Sequence, residues 1–187
     1  MLVPLKNAKG VTMTRIKTMA HRCSGTTFID LDDVQVPREN LIGLEGHGMK
    51  YIMNNFNHER LSICISVMRQ SRVALSNAFA YCLKRKAFGK PLMDQPVVRN
   101  RLSVCGGQLE AHFALVEQLA YMMTKLTKEE ADIRLGGLIA LSKAQAGRIL
   151  NECAQCGVLL HGGNGFTVTG QGETAESKCR VVYNYLF

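Results

Sequence analysis

The sequence predicts a mainly α fold, an antiparallel helical bundle preceded by a short incomplete β segment. Three observations carry that prediction. The first forty-odd residues alternate with a period of two and favour β-branched and aromatic side chains; from Gly46 onward apolar residues recur at three- and four-residue steps; and Gly- or Pro-marked stops cut that helical pattern into long pieces. The change of period divides the chain into residues 1–44 and 45–187.

In the first part Val11, Met13 and Ile16, then Thr26, Phe28 and the run from Asp30 to Val36 and Pro37, alternate between breaks at Gly10 and Ser24-Gly25. This spacing predicts two short strands. Two or three strands neither close a sheet nor cover both its faces, and an isolated hairpin is marginal in water, so residues 1–44 read as an unfinished β region.

After the turn-rich Pro37 to Asn40 and Gly43 to Gly46, a long helical pattern runs to about Lys86 and is stopped by Phe88-Gly89-Lys90-Pro91. A second helix is expected near Asp94-Gln95-Pro96, with Asp94 as N-cap and Pro96 in the first turn. It carries Leu102, Cys105, Leu109, Phe113, Val116, Ala120 and Met123 on one face. A third starts at Thr127-Lys128-Glu129-Glu130, an acidic first turn suited to the helix dipole. Leu135, Leu138, Ile139, Ala146, Ile149, Leu150 and Cys153 line one side of it, and it stops at His161-Gly162-Gly163-Asn164-Gly165. Glu173 to Phe187 reads as a fourth helix. Long amphipathic helices joined by short turns suit an antiparallel bundle. No internal repeat or low-complexity tract is present.

Composition narrows the function classes. Apolar stretches are broken by Lys, Arg, Asn or Gln well short of the roughly 20 residues a spanning helix needs, so no membrane span is expected. Neither end carries a sorting or lipidation signal. Seven cysteines form no framework, and free thiols fit an intracellular, reducing compartment. Cys153 and Cys156 have redox-motif spacing but sit in a helical pattern, where small thiols pack as core. His21, His47, His58, His112 and His161 form no ligand spacing, so no metal is expected. The net charge of +8 invites an anionic partner, but the cations are spread along the chain and no nucleic-acid motif accompanies them, which argues against nucleic acid. Gly162, Gly163 and Gly165 follow a helix instead of a strand and precede no Lys-Ser/Thr pair, so a helix C-cap with left-handed glycines explains them better than a phosphate loop.

Four segments stand out in order along nearly the whole chain: Phe28 to Gly43 followed by Glu45-Gly46-His47-Gly48; Phe56-Asn57-His58-Glu59-Arg60-Leu61; Arg85-Lys86-Ala87-Phe88-Gly89-Lys90-Pro91-Leu92; and His161-Gly162-Gly163-Asn164-Gly165-Phe166 with Gly170-Gln171-Gly172-Glu173. Together, in this order and register, they resemble the acyl-CoA dehydrogenase family. The resemblance implies that residues 1–44 are the end of a middle β-domain and 45–187 a C-terminal helical domain cut short at its end. It implies FAD as cofactor, acyl-CoA or another acyl thioester as substrate, and a homo-oligomer, dimer or tetramer, with an electron-transfer flavoprotein as a candidate redox partner.

In such an assembly the segment around Arg85 reaches the cofactor of a neighbouring subunit. The guanidinium offers a planar fork of donors to a pyrophosphate, Phe88 a flat apolar surface, and Gly89 a close backbone approach. On sequence grounds alone Arg85 and Lys86 also read as helix-terminal cations. Gln95 falls where the family often places a polar residue near the adenosine half, and Gly162 and Gly163 where its backbone approaches the cofactor. Where the family often has Gln, three positions before the first of these glycines, this chain has Leu159, which removes an amide contact.

The family's reaction takes the α-proton of an acyl thioester onto a carboxylate while the β-hydrogen leaves as hydride. In the subset of members with an early base, the matching residue here is Glu59, in His58-Glu59-Arg60-Leu61. Ile52, Phe56, Ile63 and Ile65 surround it in sequence, so an acyl chain closing over the site desolvates the carboxylate and strengthens it as a base. Arg60 is its electrostatic neighbour on the substrate side. The resemblance also implies that the family's amino-terminal helical domain and most of its β-domain, which hold the flavin ring, are not in this chain. Two other readings therefore stand beside a dehydrogenase or a fragment of one: an inactive helical module for oligomerisation or cofactor clamping, and an acyl-CoA oxidase-like flavoprotein.

Overall fold

A computed structural model describes residues 1–18 and 23–167. The expected helix from Glu173 to Phe187 and the Gly170–Glu173 segment lie outside the described residues. The chain forms two compact units, Met1–Asn55 and Phe56–Phe187.

In the first unit β1 (Val11–Arg15) and β2 (Thr27–Leu31) pair antiparallel, with Val11 opposite Leu31 and Arg15 opposite Thr27. The ladder extends one bond at each end, from Ile16 N–H to the Thr26 carbonyl at 2.9 Å and from Asp32 N–H to the Gly10 carbonyl at 2.8 Å. The strand expected to continue to Val36 ends at Leu31 instead. Asp33 takes a positive φ of 47°, and its carboxylate accepts from Gln35 Nε2 at 3.1 Å, a local turn that competes with the ladder. Met13, Phe28, Ile29 and Leu31 are all exposed, as expected of a ribbon with neither face covered. Asn40 then ties the segment back to the start of the chain, through Leu2 N–H to the Asn40 carbonyl (2.8 Å) and Asn40 Nδ2 to the Leu2 carbonyl (3.0 Å).

Three long helices build the second unit: α1 (Gly48–Lys84), which begins in the first unit, α2 (Pro96–Lys125) and α3 (Lys128–His161). Side-chain pairs fix their directions. Arg72 meets Glu110 and Phe113, while Leu75, further along α1, faces Gly106, earlier on α2, so α1 and α2 run antiparallel. Asn57 meets Asp132 and Cys64 meets Ser142, so α1 and α3 run parallel. Between them Leu61, Cys64, Val67, Met68, Leu102, Leu109, Val116, Leu119, Leu135, Ile139, Leu150 and Cys153 form one continuous core.

Two face assignments change. On α2 the buried stripe runs Leu109, His112, Val116, Leu119; Phe113 is one step off it and is half-covered by the Arg72 guanidinium 5.1 Å from its ring centre. On α3 the stripe runs Ala131, Leu135, Ile139, Ser142, Ala146, and Leu138 lies on its flank, 47% exposed.

His112 therefore sits in the core, 2% exposed. With the Ser142 hydroxyl donating to Cys64 Sγ (3.6 Å), its oxygen accepts from His112 Nε2–H (3.2 Å), while His112 Nδ1 finds no hydrogen-bond partner among the described residues. Burial holds the imidazole's pKa below its ordinary value. Cys82, Cys105, Cys153 and Cys156 are buried too. Burial, then the neighbouring Cys105, pushes both Cys153 and Cys156 up to about 12, so the pair packs in the core as protonated thiols.

The caps also differ in part from expectation. Thr127 caps α3 with a full capping box: its hydroxyl accepts from Glu130 N–H, and Glu130 Oε2 accepts from Thr127 N–H at 3.0 Å. At α2, Pro96 occupies the first turn as expected, but the N-cap is Gln95, not Asp94. A proline forces the residue before it into extended backbone, here φ −79° and ψ 124°, and Asp94 closes a 3-10 turn instead. Of Gly162, Gly163 and Gly165, only Gly162 has positive φ (58°), and its ψ of −132° mirrors extended backbone, so it is not a left-handed cap. Gly163 to Phe166 then form a one-turn helix, α4, which requires glycine at 165 because a Cβ there would lie 2.3 Å from the Val158 carbonyl oxygen.

Candidate functional site

The end of α1 does not simply stop. Arg85 N–H still bonds the Tyr81 carbonyl at 2.8 Å, and the chain then makes a hairpin of β3 (Lys86–Ala87) and β4 (Lys90–Pro91), Lys86 opposite Pro91 and Ala87 opposite Lys90. Leu92 N–H closes it on the Arg85 carbonyl at 2.8 Å. The two turn residues, Phe88 (φ 52°) and Gly89 (φ 81°), carry the φ signs of a type I′ turn. Glycine suits its position; phenylalanine does not. A left-handed conformation costs a bulky residue about 1–2 kcal/mol, and Phe88 is also 94% exposed. Strain and apolar exposure coincide on one side chain that gains no packing from the described chain. Lys84, Arg85, Lys86 and Lys90 flank it in sequence, all exposed.

The other expected cofactor residues lie close by along the chain or through Tyr81. Gln95, half-buried, heads α2 three residues after the hairpin closes; its carbonyl accepts from Val98 and Arg99 N–H. Gly162 and Gly163 stand at the exit of α3, which runs parallel to α1 and so ends at the same end of the bundle. Contact between the two segments is direct: the Tyr81 ring stacks on His161 with centroids 4.5 Å apart, and Asn164 Nδ2 donates to the Tyr81 hydroxyl at 3.4 Å. Beside them α2 and α3 frame a groove of about 620 Å³, lined by Val97, Asn100, Arg101, Val104, Glu152 and Leu159. Leu159, the position that departs from the family pattern, is 55% exposed on its wall.

Glu59 and Arg60 lie elsewhere. Glu59 is exposed on α1, with Phe56 and Ile63 one turn away on either side, and the Arg60 guanidinium stacks over Phe56 at 5.2 Å. Ile52 and Ile65 are exposed as well. This part of α1 is pinned by the buried Asn57, whose Nδ2 donates to Asp132 Oδ1 at 3.0 Å, while Lys128 pairs with Asp132 at 3.7 Å. At about 1.5 Å per residue, Glu59 stands about 38 Å along the helix from Lys84. The structure thus brings Arg85, Phe88, Gln95, Gly162 and Gly163 together and leaves Glu59 and Arg60 apart from them.

Tyr81 and Asn57 were not singled out by the sequence. Tyr81 lies one helical turn before Arg85, the only pattern that points to it; Asn57 carries none, since its importance comes from a partner 75 positions away.

Residues 46–183 match the family model for the acyl-CoA dehydrogenase C-terminal domain. The acyl-CoA dehydrogenase apdG of Emericella nidulans is 63% identical over 182 residues, 97% of this chain and 42% of the relative. The acyl-CoA dehydrogenase AFT10-1 of Alternaria alternata is 34% identical over 180 residues, 95% of this chain and 41% of its own length. A glutaryl-coenzyme A dehydrogenase solved with glutaryl-CoA superposes with a TM-score of 0.81 at 25% identity, over 97% of this chain and 45% of the other. The chain therefore spans about two fifths of the length of its curated relatives, and it belongs to the acyl-CoA dehydrogenase family through that family's C-terminal helical domain.

Proposed function

We propose that this chain is the C-terminal portion of a flavin-dependent acyl-CoA dehydrogenase, acting on an acyl thioester, whose Arg85 hairpin clamps the FAD of a neighbouring copy. The family is flavin-dependent. The observation that carries the reading is Phe88: a strained, exposed aromatic, flanked in sequence by four exposed cations, gains no packing from the described residues and suits a flat, anionic dinucleotide. Arg85 would hold the pyrophosphate, Phe88 cover a planar group, and Gln95 and the Gly162–Gly163 backbone meet the adenosine half. When bound, FAD supplies the acceptor for the β-hydrogen.

Glu59 takes the α-proton onto a carboxylate oxygen, and Arg60, held over Phe56, sets the charge beside the thioester. The roughly 38 Å between Glu59 and the hairpin is longer than an extended dinucleotide, so a single chain does not supply both to one cofactor. This supports a homo-oligomer. Among the described residues no helix is long and apolar enough to cross a membrane.

The test is the visible spectrum of the purified chain after incubation with FAD and gel filtration, followed by an acyl-CoA panel with an artificial electron acceptor. Retained flavin with turnover that Glu59→Gln abolishes supports the reading. Retained flavin without turnover assigns the chain to a cofactor-clamping module, and colourless protein removes the cofactor role from this chain alone.

A further inference from the structure

Within that reading, the cradle is made of two segments far apart in sequence, and Tyr81 links them. Tyr81 belongs to the last full turn of α1, and its carbonyl holds Arg85 N–H. Its ring stacks on His161 (4.5 Å between centroids, planes 28° apart), and its hydroxyl accepts from Asn164 Nδ2. His161 is itself fixed: it is 2% exposed, and Nδ1–H donates to the Gly157 carbonyl at 2.7 Å. Nε2, the other ring nitrogen, has no hydrogen-bond partner among the described residues.

We propose that Tyr81 and His161 are positioning residues that lock the Arg85–Phe88 hairpin and the Gly162–Asn164 turn into one rigid unit, so that both present themselves to a dinucleotide together. Neither side chain touches the ligand. They act by removing the relative motion of two binding segments before binding, which lowers the ordering cost that binding otherwise carries.

The test uses the whole 187-residue chain and reads amide hydrogen exchange as well as FAD binding. In Tyr81→Leu, exchange at Leu92 N–H (hairpin) and Gly165 N–H (turn) should accelerate together by about tenfold, while core amides at Ile139 and Leu150 keep their protection. Tyr81→Phe keeps the stack and loses only the Asn164 bond, so Gly165 alone should loosen. His161→Phe keeps a stacking ring and should leave both segments protected. FAD dissociation should follow the same order, weakened about tenfold in Tyr81→Leu and little changed in His161→Phe.

If Tyr81→Leu loosens one segment without the other, or loosens the core equally, the coupling is refuted; should that variant not fold, the contrast between Tyr81→Phe and His161→Phe decides it. A wild-type chain that takes up no FAD overturns the cofactor reading, whereas the exchange pattern still decides whether the two segments are coupled.

Discussion

Replacing Phe88 with asparagine should stabilise the chain while weakening its hold on FAD. Phe88 sits at φ 52° and is 94% exposed, so truncating it forfeits almost no burial within the chain. What it relieves is a left-handed conformation that costs a bulky residue about 1–2 kcal/mol. Asparagine tolerates that conformation and, followed by glycine, is the pairing favoured in a type I′ turn, without the backbone entropy a second glycine would carry. The expected net gain is about 1 kcal/mol, which at a urea m-value of roughly 1–3 kcal/mol/M raises the midpoint by about 0.3–1 M with an unchanged slope. Urea titration followed by far-UV circular dichroism measures this directly. A midpoint below wild type would refute the reasoning, because it would mean that the phenyl ring packs in the isolated chain and that the strain is offset locally. If FAD then bound as well as before, the argument from strain to function would fail too.

Other outcomes follow from the core and the caps. His112 is held neutral in the fold, so its contribution is fully present above the ordinary histidine range and is lost as pH falls through that range toward the lower folded value; urea midpoints at pH 7.5 and 5.5 should diverge, and His112→Gln should narrow the gap. Thr127→Ala removes the side-chain half of the α3 capping box, leaving the backbone N–H of residue 127 on Glu130, and should cost about 1 kcal/mol by the same titration, while the exposed Lys128→Ala costs far less. In peptide-level alkylation at neutral pH, exposed Cys23 should label quickly and Cys153 and Cys156 only as fast as the protein unfolds; rapid labelling of either buried thiol would contradict the packing reading.

The sequence made the long elements legible because periodicity repeats over many turns. Three helices, their approximate ends and the Thr127 start were readable; so were the two short strands. Errors gathered where one residue decides. Phe113 and His112 are neighbours, and an apolar ring looks like the buried one until Arg72 is found stacked on it. Asp94 is a better capping side chain than Gln95, yet Pro96 dictates the backbone of its predecessor. The hairpin was hidden because Phe-Gly is not a turn signal: phenylalanine is a poor choice for positive φ. At the site, Arg85, Phe88, Gln95, Gly162 and Gly163 were named through the family pattern, but that they share one end of the bundle depends on α1 and α3 running parallel, which no single sequence states.

The capping box between α2 and α3 bears on how the chain acquires its shape. Only Leu126 and Thr127 separate those helices, so the contacts nearest that turn close very short loops, whereas α1 reaches α2 across 38 positions at Arg72–Glu110 and α3 across 75–78 at Asp132 and Ser142. Loop closure favours the nearer pairing. The α2–α3 pair is thus the expected nucleus, and α1 docks onto it afterwards. Mutations at Leu119 or Leu135 should slow refolding, while those at Val67 should mainly speed unfolding. The last region to order is then the hairpin at the far end of α1, so that the part of the chain assigned to meet a partner is also the part that folds when the rest is already in place.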